Sequence, residues 1–180
     1  MNKPLIKLHC EDKNLYENEI LKNYIDFVFE QPEVISRSIT ERVGKAHSTC
    51  DLSPEIVLTM PGIQNLLQWI IDQLEENSHH FISKEVSGVE FTRAWMNKMF
   101  KDSSGIRHVH RPIPDGVVCI FYIQVPENSS KLLVHYDDGD EEIEVKVGDL
   151  IIHDNQLPHS VTSHGNDIPR MCFIFECYYV

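Results

Sequence analysis

The chain has 180 residues, with 16 Lys and Arg against 28 Asp and Glu and a formal charge of −12. At 42% hydrophobic and 24% charged it has the composition of a globular chain, not of a disordered or fibrous one. So acidic a chain argues against a duplex nucleic-acid binder or an anionic-lipid surface, since both need a basic footprint. The N-terminus, MNKPLIKLHCEDKN, carries no apolar run of signal-peptide length, and nowhere do 18 apolar residues follow one another, so neither a leader nor a membrane span is expected. The five cysteines are an odd number without a CxxC pair. They read as reduced thiols, mostly small buried hydrophobes, in a cytoplasm.

Up to about residue 80 the apolar spacing is helical. Ile20, Leu21, Tyr24, Ile25 and Val28 recur at three- and four-residue steps until Pro32 stops them. Ile63, Leu66, Leu67, Ile70, Ile71 and Leu74 form a second stripe, which His79 and His80 follow at the helix end, where cations meet the dipole favourably.

From residue 81 the pattern is β. GVEFTRAWMNKMF is followed by VVCIFYIQV, an apolar run suited to a strand buried on both faces. KLLVHYD and EIEVKV flank the acidic turn DDGDE, which reads as a solvated hairpin. DLIIHD, HSVTS and RMCFIFECYYV complete about eight short strands at the spacing of a sandwich or barrel. The expected architecture is one domain, residues 1–180, mainly β within the α+β class. Residues 1–80 would form a helical layer, and residues 81–180 a β-core.

Six of the ten histidines follow residue 107. His108 and His110, two residues apart, would present imidazoles on one side of a strand, about 7 Å apart along the chain. His159, at the start of a later strand, would bring a third. Three imidazoles on one face leave three octahedral positions open, a geometry suited to Fe(II). His135, His153 and His164 read as structural, with His153 the nearest to a site role because HDNQLPH is a polar break at the rim of the β-core. Arg170 opens the most apolar strand in the chain. A buried guanidinium needs an anion, supplied by an internal Asp or Glu or by a carboxylate cofactor.

The order His-x-His, strand, Gly-Asp with an apolar run, His-Ser-Val and an Arg eleven residues later resembles the Fe(II)/2-oxoglutarate-dependent oxygenases. Trp95-Met-Asn97, His108-Val-His110, GVVCIFYIQVPENSS from Gly116 and VGDLIIHDNQLPHSV are similar, more closely, to the small oxygenases of tailed-phage genomes. The likeness covers residues 89–180, and extends to GKAHSTCDLS and to the helix after Pro61. It implies a double-stranded β-helix, a jelly-roll or cupin-like barrel, with supporting N-terminal helices. It implies a metal site of His108, His110 and His159, with no catalytic side chain beyond it. It further implies 2-oxoglutarate as cosubstrate and Arg170 on its distal carboxylate. If so, Tyr122 on the central strand would hydrogen-bond the cosubstrate and Asn97 would orient it, although alone they read more simply as a core Tyr and a capped Asn. The setting would be a host cytoplasm if the chain is phage-encoded. Two positions depart from the family pattern: His110 stands where a carboxylate is usual, and Cys172 where Ser is frequent. Asp115 is an alternative ligand. With it, HVHRPIPD also reads as HxHx4D, the pattern of a cupin that binds metal without 2-oxoglutarate. A non-catalytic interaction protein on the same fold is the other alternative. The expected substrate is a protein side chain, a nucleotide or a metabolite.

Overall fold

The computed structural model describes residues 4–36 and 46–180. Gly44 and Lys45 of the GKAHSTCDLS segment, and the first three residues of the N-terminus, lie outside them.

Among the described residues ten strands form two antiparallel sheets. The large sheet contains β1 (Leu5–His9), β2 (His47–Ser48), β3 (Val89–Met99), β5 (Gly116–Gln124), β8 (Asp149–Asp154) and β10 (Arg170–Tyr179), in the order β1-β8-β5-β10-β3-β2. The small sheet contains β4 (Gly105–His108), β6 (Leu132–Tyr136), β7 (Gly139–Ile143) and β9 (His159–Val161), in the order β4-β9-β6-β7. The eight strands from β3 onward pass back and forth between the sheets. That winding makes the C-terminal part a double-stranded β-helix.

The N-terminal part contributes more than helices, because β1 and β2 add an edge to each side of the large sheet. The period-two signal of LIKLH is too short and too rich in basic residues to stand out. What fixes β1 is the fully buried Asp149 on β8, whose carboxylate accepts from the Lys146 amide at 2.9 Å and pairs with Lys7 at 3.1 Å and with His9 at 2.8 Å. The strand expected through Val147 ends at Ile143, where β7 has finished its hairpin with β6. Pro32 ends one helix and starts another. α1 is Glu19–Phe29 and α2 is Pro32–Ser36, with proline at a first-turn position that needs no amide hydrogen. After the short α3 (Glu55–Leu58), α4 runs Gln64–Glu76, and His79 and His80 sit beyond its end in a 3₁₀ turn.

The alternation of β5 explains its unbroken apolar run. Val117, Cys119 and Phe121 face a core built with Leu21, Ile25 and Val28 of α1 and Leu66, Ile70 and Leu74 of α4. Val118, Ile120 and Tyr122 face the space between the sheets. Tyr16 and Trp69 meet the Phe121 ring edge-on at 5.5 and 6.0 Å, so this one side chain ties the helical layer to the sheet. All five cysteines carry free thiols. Among the described residues no helix is long and apolar enough to cross a membrane.

The inner face of the large sheet carries the cavity. Its rungs are Arg170 opposite Met99, Cys172 opposite Asn97 and Tyr122, Ile174 opposite Trp95 and Ile120, and Glu176 opposite Arg93. Polar side chains therefore mark both ends of the furrow, with an apolar middle.

Candidate metal centre

His108 ends β4 and His159 begins β9, and the two are paired across the small sheet. His110 lies just past β4, where its amide donates to the Asn155 carbonyl at 2.9 Å. The sequence expectation placed both imidazoles on one strand face; instead β4 ends at His108, and the loop after it carries His110. One ligand atom from each of His108, His110 and His159 lies within 4.8 Å of the others. The Nε2 atoms of His110 and His159 are 3.3 Å apart.

The other ring nitrogens explain this convergence. Nδ1 of His108 lies 2.8 Å from the Ile106 carbonyl, Nδ1 of His159 2.9 Å from the Leu157 carbonyl, and Nδ1 of His110 2.8 Å from Glu176 Oε1. Each partner accepts, so each Nδ1 carries a proton and the Nε2 side of each ring turns toward the others. At 3.3 Å the Nε2 atoms of His110 and His159 stand where they can share a proton or a metal ion. Outer partners that fix tautomer and orientation in this way are the usual companions of metal-bound histidine.

Glu176 is the site residue that sequence reasoning missed. It is buried in the apolar strand β10, with Arg93 Nη1 at 3.5 Å as its second partner. Burial would raise its carboxyl. The hydrogen bond and charge of His110, aided by Arg93 and Arg111, hold it below the ordinary value. The signal was present: an acidic residue inside FIFECYY demands a partner by the same logic that singled out Arg170. Its charge lies one hydrogen bond behind His110.

At the other end of the furrow Arg170 is 2% exposed. Its Nη1 donates to the Met99 thioether at 3.2 Å, a weak acceptor, and its guanidinium lies 4.7 Å above the Tyr122 ring. None of the described carboxylates pairs with it, and its Nε has no hydrogen-bond partner. The internal Asp or Glu that could have satisfied it is absent among the described residues. Tyr122 Oη and Asn97 Oδ1 are likewise buried without partners. Burial pushes the Tyr122 hydroxyl up to about 12 against the opposing effect of Arg170, so it remains a hydrogen-bond donor. Arg170, Tyr122, Asn97 and the three histidines line one cavity of about 270 Å³.

The other expected residues are elsewhere. Asp115 is not in the cluster. Its carboxylate pairs with Lys84 at 2.8 Å, and its backbone adopts φ 54° in the turn before β5. His135 bonds Asp140 at 2.8 Å and Ser160 at 2.9 Å, and His164 bridges the Ser130 amide and the Ile168 carbonyl, so both serve the structure. His153 is fully buried on β8 and its ring lies 4.6 Å from that of His159. Its Nδ1 donates to the Asp154 carbonyl, and its Nε2 has no partner.

Burial, reinforced by neighbouring histidines, lowers His153 from 6.5 to about 4 and His159 to about 2. Both rings are neutral in the fold and take up protons more readily in the unfolded chain. The metal-free protein therefore has its full stability above pH 6.5 and loses it as the pH falls, with the His153 share gone near pH 4. Urea unfolding of the metal-free protein at neutral pH and near pH 4 checks this, and a flat profile contradicts it.

No protein-family model and no curated relative matches the sequence. Solved structures do match. A Pseudomonas putida prolyl-4-hydroxylase aligns with TM-score 0.65 at 16% identity, covering 98% of this chain and 92% of that one. A Trichoplax adhaerens prolyl hydroxylase, solved with a peptide fragment of the hypoxia-inducible factor oxygen degradation domain, aligns with TM-score 0.66 at 15% identity, covering 97% and 82%. EctD from S. alaskensis, with bound Fe, gives 0.65 at 14%, covering 98% and 73%. At these identities the likeness establishes the double-stranded β-helix fold, and the chemistry must be argued from the site.

Proposed function

We propose that the protein is an Fe(II)- and 2-oxoglutarate-dependent oxygenase acting as a hydroxylase. The carrying observation is the pairing, in one cavity, of three converging imidazoles with a buried arginine that lacks a carboxylate partner. His108, His110 and His159 would hold the metal, and Glu176 behind His110 would offset the missing carboxylate ligand. Arg170 would bind the distal carboxylate of the cosubstrate through its fork of donors. Tyr122 would donate a hydrogen bond to the cosubstrate, and Asn97, two residues from Trp95 on β3, would orient it. The apolar walls between the two ends, Ile120 and Ile174, would exclude water. When bound, Fe(II) with 2-oxoglutarate and O2 supplies oxidative decarboxylation coupled to oxidation of a substrate C–H bond.

The solved relatives lend this reading support, since HygX from Streptomyces hygroscopicus holds nickel and 2-oxoglutarate on the same fold. The nearer likeness to phage enzymes, and with it a host cytoplasm, rests on Trp95-Met-Asn97 and the segment from Gly116. The cupin reading is disfavoured by the Lys84 pairing of Asp115 and by the unpaired Arg170. Anaerobic titration tests the proposal. A visible charge-transfer band is expected only when Fe(II) and 2-oxoglutarate are both present. Iron binding without that band favours a cupin-like metal protein, and no iron binding favours a non-catalytic one.

A further inference from the structure

We propose that the substrate carries an anionic group, a carboxylate or phosphate, which Arg93 and Arg111 receive on the side of the metal site away from Arg170. The inference rests on the oxygenase reading above.

The inner face of the large sheet orders the cavity along one axis. Arg170 and Glu176 stand six residues apart on β10, about 20 Å at strand rise. Arg170 marks the cosubstrate end. His110 is bonded to Glu176, which lies opposite Arg93, so the histidines stand toward the other end. The wall there includes Arg93, Trp95, Arg111 and Cys50, with Ile106 and Val109 at an exposed rim.

Arg93 is already organised. Its Nη2 donates to the Cys50 carbonyl at 3.1 Å, and its guanidinium lies 5.0 Å from the centre of the Trp95 ring. About half of its side chain, 47%, remains exposed. Pairing with Glu176 accounts for part of Arg93, but Glu176 is shared with His110. Among the described residues no carboxylate lies within 4.0 Å of the Arg111 guanidinium, although its charge acts on Glu176 from farther away. The cavity lining thus holds Arg93, Arg111 and Arg170 against the one carboxylate of Glu176. A divalent metal and a dianionic cosubstrate cancel, so a positive excess remains at the Arg93 end. In a chain with 28 acidic and 16 basic residues this local excess runs against the background. It attracts an anion and repels a cation, and guanidinium pairs match carboxylate and phosphate oxygens. Trp95, Ile106 and Val109 offer a flat, apolar surface to the body of the same molecule.

The test uses the full chain loaded with Mn(II) and N-oxalylglycine, titrated in a calorimeter with benzoate, phenyl phosphate, benzyl alcohol and benzylamine. At least one anion is expected to bind about tenfold or more tightly than the alcohol and the amine, and the stronger anion distinguishes carboxylate from phosphate. Arg111→Gln, at an exposed position, and Arg93→Met should each weaken that anion about tenfold, the effect of one charge-assisted hydrogen bond. Arg93→Lys should recover part of the loss, which a mere disturbance of the Trp95 wall would not allow. Equal binding of the neutral or cationic probes, anion binding unchanged in both variants, or no anion binding at millimolar concentration overturns the proposal. Mn(II) resonance and N-oxalylglycine calorimetry are read before the probes are added. Failure there overturns the oxygenase reading and this inference with it, whereas failure at the probe stage overturns this inference alone.

Discussion

His159→Ala is expected to lower Fe(II) affinity by at least about 100-fold, since loss of an outer partner alone costs a metal site 10- to 100-fold and a ligand matters more. The reason lies in how the three rings are held. Each Nδ1 is committed to a fixed acceptor, so each ring turns its Nε2 side inward, and the His110–His159 separation of 3.3 Å suits one shared ion. His108→Ala should match it. Glu176→Ala should cost roughly 10- to 100-fold by freeing the His110 ring, and Glu176→Gln less, because an amide oxygen still accepts from Nδ1. His135→Ala is the control, since that ring is satisfied by Asp140 and Ser160, and it should bind as wild type. Anaerobic Fe(II) titration measures all of these, with circular dichroism to confirm folding.

Arg170→Met is expected to separate binding from stability. With Arg170 on the cosubstrate carboxylate, loss of the guanidinium should weaken 2-oxoglutarate by about 30- to 1000-fold, or roughly 2–4 kcal/mol. The ligand-free protein should be no less stable than wild type, and is expected to gain stability. The folded chain holds a guanidinium 2% exposed whose recorded acceptor is a thioether, and removing a poorly compensated buried charge for an apolar side chain relieves desolvation. Calorimetry on the Mn(II)-loaded protein and urea unfolding of the ligand-free protein give the two numbers. A structural arginine would give the reverse: lost stability, with binding unchanged in the protein that remains folded.

The fold was legible where the pattern was strong. The run of β5 announced a strand buried on both faces, and the two stripes announced α1 and α4. Seven of the eight strands from β3 to β10 fall on segments named from the sequence, the short β4 does not, and the winding matches the expected barrel. β1 escaped because its order depends on Asp149, 140 residues away from His9. His108, His110, His159 and Arg170 could be named because side chains of rare type stood at telling spacings. Glu176 was hidden by its place in an apolar strand, and Arg93 by alternation with exposed neighbours. Both acquire meaning through cross-strand register, which pairs them opposite one another and beside His110. Asp115 had the right spacing for a ligand, yet the turn at φ 54° carries it to Lys84.

The central claim is that three histidines and Arg170 form one site for a metal and a dicarboxylate. A crystal structure of the protein with Mn(II) and N-oxalylglycine measures this most directly. The expected result is a metal bound by Nε2 of His108, His110 and His159, with the inhibitor reaching from it to the Arg170 guanidinium beside Tyr122. A metal held elsewhere, or an inhibitor carboxylate that leaves Arg170 unpaired, would contradict it.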